Sequence, residues 1–169
     1  MAESFLTLMA VYAPEDQQRI SVWYDGLQQA GFTGSQTPGL WHHVSLATFP
    51  LEAEDYALRL MQEAADRFAP PAVDIRHVGV MPGGRVLFAA PDMEPRLTAL
   101  RRACAQGCSD RFPWLPHTTM LMDEPPVIGR ALPTLMQSFQ PVRATLDRLW
   151  LCAFWPTREI AMIPLTGRE

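Results

Sequence analysis

The sequence predicts an α+β protein built as two lobes of similar plan. Two observations predict it. Short apolar runs of strand length alternate with longer segments whose apolar residues recur at the three-to-four spacing of a helix. Each half of the chain also supplies a helix, then a strand-like run containing His-x-Ser or His-x-Thr, then another helix, so the halves share a plan without sharing a sequence repeat. With 169 residues, 48% hydrophobic and 19% charged, the chain is long enough for one compact domain with a real core and short for two. Residues 1–169 are therefore expected to form a single domain, with motif strands near 40–49 and 115–122.

The elements follow in order. The run Phe5 to Tyr12 reads as a buried strand ending at Ala13-Pro14, and Pro14 suits the opening of a helix because its missing N–H would be unpaired there in any case. Ile20, Trp23, Leu27 and Ala30 recur at helical spacing up to Gly31, and Gly34 to Gly39 form a loop into the strand that carries His43. From Glu52 to Phe68 an acidic start and the series Tyr56, Leu60, Ala64, Phe68 predict a helix packed on a sheet, ended by Ala69-Pro70-Pro71. Ala72 to Met81 and Arg85 to Ala90 read as strands joined by the turn Pro82-Gly83-Gly84. A helix over about 93–106 follows, then a strand from Leu115 to Met122 and a helix from Val127 to Phe139 that must accommodate Pro133. Ala144 to Phe154 and Glu159 to Leu165 close the chain as strands around a turn at Trp155-Pro156-Thr157.

Composition narrows the function. The formal net charge is −4 and every basic side chain apart from the histidines is arginine. A mildly acidic chain does not suit long nucleic acid held without sequence preference, so DNA is not expected as a partner and a small or terminal substrate is favoured. No apolar run is long enough to span a bilayer, and the start of the chain, Met1 to Phe5, lacks the character of a leader, so no membrane partner and a cytoplasmic location are expected. Cys104, Cys108 and Cys152 form no CxxC pair and read as reduced, structural thiols, Cys104 at helical spacing with Leu97 and Leu100.

The chemistry sits in two matching segments, Trp41-His42-His43-Val44-Ser45-Leu46-Ala47-Thr48-Phe49 and Leu115-Pro116-His117-Thr118-Thr119-Met120-Leu121. Strand side chains alternate, so a His and a hydroxyl residue at i and i+2 leave the same face of a sheet. Alternation would place Trp41, His43, Ser45, Ala47 and Phe49 together, opposite His42, Val44, Leu46 and Thr48; His117, Thr119 and Leu121 would likewise face away from Thr118 and Met120. Two such pairs facing each other make a cleft with two imidazoles and two hydroxyls. That set suits phosphodiester chemistry, with one His as base, one as acid and hydroxyl donors on the phosphate oxygens.

The pattern apolar-His-apolar-Ser/Thr-apolar, with a second copy preceded by proline, here His43-Val44-Ser45-Leu46 and Pro116-His117-Thr118-Thr119-Met120, resembles the two-histidine (2H) phosphoesterases, which include the bacterial RNA 2',5'-ligase-like (LigT-like) proteins and cyclic nucleotide phosphodiesterases. The resemblance covers nearly the whole chain. It implies a bilobal LigT-like fold, two pseudo-symmetric lobes of antiparallel sheet flanked by helices with a central cleft. It implies His43 and His117 as catalytic residues, Ser45 and Thr119 as phosphate-binding residues, and no metal or other cofactor. The implied substrates are 2',3'-cyclic phosphates or 2',5'-linked RNA, with a small nucleotide or an RNA terminus as partner, hydrolysed or joined by general acid/base catalysis.

Other residues are weighed beside that pair. Trp155, next to Pro156 in the last turn, is a candidate to stack on a base, and Arg158 a candidate to pair with phosphate. His42 should point away from the cleft, and His77, without a hydroxyl partner, reads as structural. Trp23, Trp41, Trp114 and Trp150 read as core or cleft wall, and Asp123-Glu124-Pro125-Pro126 as a helix start. Two other functions compete. A nucleotide or RNA-end binding protein on the same fold needs neither an acid nor a base. A metal-dependent hydrolase would need acidic ligands that the spacing does not offer.

Overall fold

The computed structural model describes residues 4–108, 110 and 113–169; the start of the chain considered as a leader lies outside them up to Glu3. The elements run β1 (Phe5–Tyr12), α1 (Pro14–Gln29), β2 (His43–Pro50), α2 (Glu54–Arg67), β3 (Ala72–Val80), β4 (Val86–Pro91), α3 (Pro95–Cys104), β5 (Thr118–Met122), α4 (Pro125–Ser138), β6 (Val142–Phe154) and β7 (Arg158–Pro164). The helix expected from Glu52 is preceded by a 3-10 turn, Leu51–Ala53, so the α-helix proper begins at Glu54. Pro133 lies inside α4 and the helix continues past it.

All strand pairs are antiparallel, in the order β2-β1-β6-β3-β4-β5, with β7 added on β6. The 13-residue strand β6 belongs to both lobes. Its start, Val142 to Thr145, pairs with β3, and its remainder from Leu146 pairs with β1. One lobe is thus β2-β1-β6-β7 and the other β6-β3-β4-β5, and each motif strand ends its own row. This is an α+β arrangement of two antiparallel rows flanked by helices, as the sequence predicts.

Strand β1 is buried on both faces, which explains its unbroken apolar run. Leu6, Leu8, Ala10 and Tyr12 join the main core under the helices, while Met9 and Val11 join Trp150, Cys152 and Phe154 in a smaller cluster on the opposite, concave face. The helices do not stay with their own lobes: α1 packs on α4 and β5, whereas α3 packs on α2 and β2. Each half of the sequence therefore lends a helix to the other.

Simple alternation fails in both motif strands, at equivalent places. In β2, Ser45 pairs with Met9 but Ala47 pairs with Leu8, so a bulge at Leu46 consumes one residue. In β5, Thr119 pairs with Phe88 but Leu121 pairs with Leu87, so the bulge falls at Met120. An extra residue on one strand flips every side chain beyond it. Ala47, Phe49 and Leu121 accordingly turn into the core instead of sharing the face of the histidines, and Thr48 takes the concave side opposite Thr7.

Candidate active site

His43 opens β2 opposite Val11, and Ser45 lies opposite Met9, so both side chains stand on the concave face. His117 precedes β5 by one residue, and Thr119 shares the face of Phe88. The bulges that follow bury the next two apolar residues, Leu46 with Ala47 and Met120 with Leu121, anchoring each motif strand immediately beyond its His-x-hydroxyl triplet.

Each imidazole is held in the same way. The Nδ1–H of His43 donates to the carbonyl of Trp41 at 2.7 Å, and that of His117 to the carbonyl of Leu115 at 2.8 Å. A carbonyl only accepts, so the proton of the neutral ring is kept on Nδ1 and the lone pair on Nε2. Among the described residues, neither Nε2 nor the hydroxyls of Ser45 and Thr119 has a protein partner within hydrogen-bond distance. The ring of His117 also rests against Phe88, centroid to centroid 5.5 Å.

Burial lowers the pKa of both rings below 6.5, opposed by the carbonyl each one holds, and His43 is lowered further by the charge of His117. The two are thus near enough to act as an electrostatic pair. One neutral and one protonated ring is then the natural singly charged state.

Residues outside the motifs fix this geometry. The hydroxyl of Thr118, buried on the core face, donates to the carbonyl of His43 at 3.1 Å and is met by the Tyr12 hydroxyl at 2.9 Å. One side chain from the second motif strand therefore holds the backbone of the first. The Gln17 amide binds the peptide before His43 from both sides, accepting from the N–H of His42 at 2.7 Å and donating to the carbonyls of His42 at 2.7 Å and Tyr12 at 3.1 Å. Trp114 Nε1 donates to the carbonyl of Ser45 at 3.0 Å. Motif spacing pointed to none of these. The one signal in the sequence was a Gln and a Thr at positions that are otherwise apolar and buried.

From His43 and Ser45 a cleft of about 680 Å³ extends across the concave face, walled by Phe5, Met9, Trp41, Phe154 and Trp155 and by the loop before β2. Trp155 is half exposed there, its indole Nε1 3.3 Å from Thr37 Oγ1. Arg158 is elsewhere: it pairs with Ala153, whose side chain is on the core face, and its guanidinium binds Glu54 of α2 at 2.8 Å. Arg158, expected as a candidate to pair with phosphate, is therefore not among the residues that line this cleft. His42 turns toward α1, with Nε2 3.1 Å from Ser21 Oγ and the ring edge-on to Tyr24. Burial, helped by the charge of His43, pushes its pKa down to about 4. Trp23 and Trp150 are buried, as expected of core tryptophans. Among the described residues, no three His, Cys, Asp or Glu side chains gather to hold a metal ion, and no helix is long and apolar enough to cross a membrane.

The curled antiparallel sheet with paired His-x-hydroxyl strands defines the two-histidine phosphoesterase class. The sequence model of the 2'-5' RNA ligase superfamily matches residues 15–154, and the chain belongs to that family. Solved structures agree on the fold. Escherichia coli LigT complexed with 3'-AMP superposes with a TM-score of 0.64 at 18% identity, over 96% of this chain and 98% of that one. The same protein complexed with ATP gives 0.65 at 18% identity, over 97% and 99%. The Thermus thermophilus protein TT0787 gives 0.63 at 18% identity, over 98% and 100%. Among curated proteins, none matches the sequence significantly.

Proposed function

We propose that the protein is a metal-independent phosphodiesterase that opens 2',3'-cyclic phosphates, or acts on 2',5'-linked nucleotides, by two-histidine acid/base catalysis. The observation that carries this is the matched pair of Nδ1–H to carbonyl hydrogen bonds, which leaves both Nε2 atoms for the substrate. A neutral imidazole takes the proton of water through Nε2 as the oxygen attacks phosphorus. The other, as imidazolium, gives its Nε2 proton to the departing ribose oxygen. Ser45 and Thr119 donate to the non-bridging oxygens, where charge accumulates. The nucleoside lies in the cleft beside His43, with Trp155 as a wall for the base. LigT has been crystallised with 3'-AMP and with ATP, and nucleotide ligands of this size fit the reading.

The test is hydrolysis of the four 2',3'-cyclic nucleoside monophosphates in EDTA. Turnover should survive chelation and fall by about two to four orders of magnitude in His43→Ala and in His117→Ala. Activity that disappears with the chelator, or equal small losses in both variants and in His42→Ala, would overturn the assignment.

A further inference from the structure

The floor of the cleft beside His43 is apolar at every position but one. Strand β1 supplies that floor through Phe5, Thr7 and Met9, and Phe154 and Trp155 extend it at the far end. Met9 lies opposite Ser45, which fixes where the floor starts. Thr7 is two residues further along the strand, about 7 Å from Met9, and Phe5 is two residues beyond it. There Phe5 meets Phe154 at 5.7 Å and stands nearly perpendicular to Trp155 at 5.4 Å, centroid to centroid. Leaving the two histidines, the floor thus runs from methionine through threonine to phenylalanine and tryptophan.

The threonine is out of place in such a row. It is 7% exposed, and its neighbours on the same face are Cys152 of β6, fully buried, and Thr48 of β2, exposed at the rim. Other buried hydroxyls near the site are satisfied: those of Tyr12 and Thr118 bind each other, and Thr118 also donates to the carbonyl of His43. Among the described residues, the Thr7 hydroxyl has no protein hydrogen-bond partner, although the residue is more than nine-tenths buried and lines the cleft. Valine has nearly the same shape, suits a strand as well and would bring no polar group to desolvate. Thr7 therefore carries a hydroxyl that folding does not use, held where a substrate would meet it.

We propose that Thr7 determines specificity for the nucleobase, through a hydrogen bond between its hydroxyl and the edge of the base that meets the floor. The proposal rests on the two-histidine reading. With phosphorus between Ser45 and Thr119, the ribose of a 2',3'-cyclic nucleotide lies over Met9. The base is bonded to C1', next to a carbon that carries the cyclic phosphate, so it is the following group along the cleft. Its edge reaches the floor at Thr7 while its face lies against Trp155. A hydroxyl both donates and accepts, so it can meet a ring nitrogen, a carbonyl or an amine. Thr7 thus selects a base with a polar edge and tolerates which base it is. An apolar ring of the same size would leave the hydroxyl stranded.

The experiment measures kcat/KM in EDTA for 2',3'-cyclic CMP and for the same ester with phenyl in place of cytosine, in wild type, Thr7→Val and Thr7→Ser. Phenyl keeps the size and the stacking face of the base and lacks its polar edge. Wild type should prefer the cytidine ester. Thr7→Val should lower that preference about tenfold, through KM and not kcat, and Thr7→Ser, which keeps the hydroxyl, should stay within about twofold of wild type. The denaturant midpoint of Thr7→Val should not fall below that of wild type, because no protein hydrogen bond is lost. An unchanged preference in Thr7→Val, as an equal loss on both esters would give, or a Thr7→Ser variant that loses as much as Thr7→Val, would overturn the role of Thr7 and leave the two-histidine reading standing. Failure of the wild type on both esters would overturn both.

Discussion

At the scale of single residues, the same burial acts on three imidazoles with two different consequences. On the proposed mechanism the active free enzyme carries one proton on the pair His43 and His117, so kcat/KM should trace a bell centred between the two apparent pKa values. Both rings are pushed below 6.5 by desolvation, and His43 also by its neighbour's charge, so the bell should peak on the acid side of pH 6.5. A kcat/KM profile for 2',3'-cyclic AMP that peaks above pH 7 would contradict this. For His42 the effect is on stability. Its folded pKa of about 4 lies below the ordinary 6.5, so between these values the unfolded chain binds more protons. Its contribution is present above pH 6.5 and is lost as pH falls toward 4, which amounts to roughly 2–3 kcal/mol by pH 4.5. Denaturant titrations at pH 7 and 4.5 should show that loss in wild type and a smaller pH dependence in His42→Asn, which keeps the share due to His43 and His117. An equal drop in both would place the acid sensitivity elsewhere.

At the scale of elements, the two motif strands are coupled through Thr118. Thr118→Val keeps the shape but strips partners from the buried Tyr12 hydroxyl and from the His43 carbonyl, which should cost about 1–3 kcal/mol. Adding Tyr12→Phe removes one of the stranded groups, so the double variant should be less destabilised than the sum of the two single ones. Denaturant midpoints that add within about 0.3 kcal/mol would show that the contact is not coupled. On the proposed mechanism kcat should fall with Thr118→Val as well, because the carbonyl it holds belongs to His43. This link also marks where sequence reading stopped. Alternation correctly put Thr118 on the face away from His117, but a face says nothing of what lies across a fold, and the partner is 75 residues away. The bulges were hidden for a related reason. Leu46-Ala47 and Met120-Leu121 are adjacent apolar residues in strands otherwise half polar, and such a pair reads equally as a bulge or as ordinary alternation with one exposed side chain. Element positions were legible because Pro14, Gly31, the Pro70-Pro71 pair and Gly83-Gly84 act locally.

At the scale of the whole molecule, the internal symmetry could be read from the order of elements, but the way the halves are joined could not. Helical periodicity shows which face of α1 is apolar and not that it packs against α4 and β5, since helix pairing depends on contacts distant in sequence. Likewise the length of β6 was legible, while its division between β3 and β1 was not. These connections bear on stability. A strand shared by both sheets and helices lent in both directions leave no lobe with a complete core of its own, and Leu6 on one side and Leu87 on the other belong to the same buried cluster. The chain should therefore unfold in one cooperative transition despite its two-lobed shape. Leu6→Ala and Leu87→Ala, one in each lobe and both fully buried, should each lower stability by about 2–5 kcal/mol. Each should shift the same single transition, with far-UV circular dichroism and tryptophan fluorescence coinciding in urea. Two transitions, or a variant that moves one probe and leaves the other in place, would mean that the lobes fold independently and that the histidines meet only by docking. Coincident curves would mean that one folding event brings His43 and His117 together, so that a cavity in either lobe lowers activity only through the fraction of molecules that remain folded.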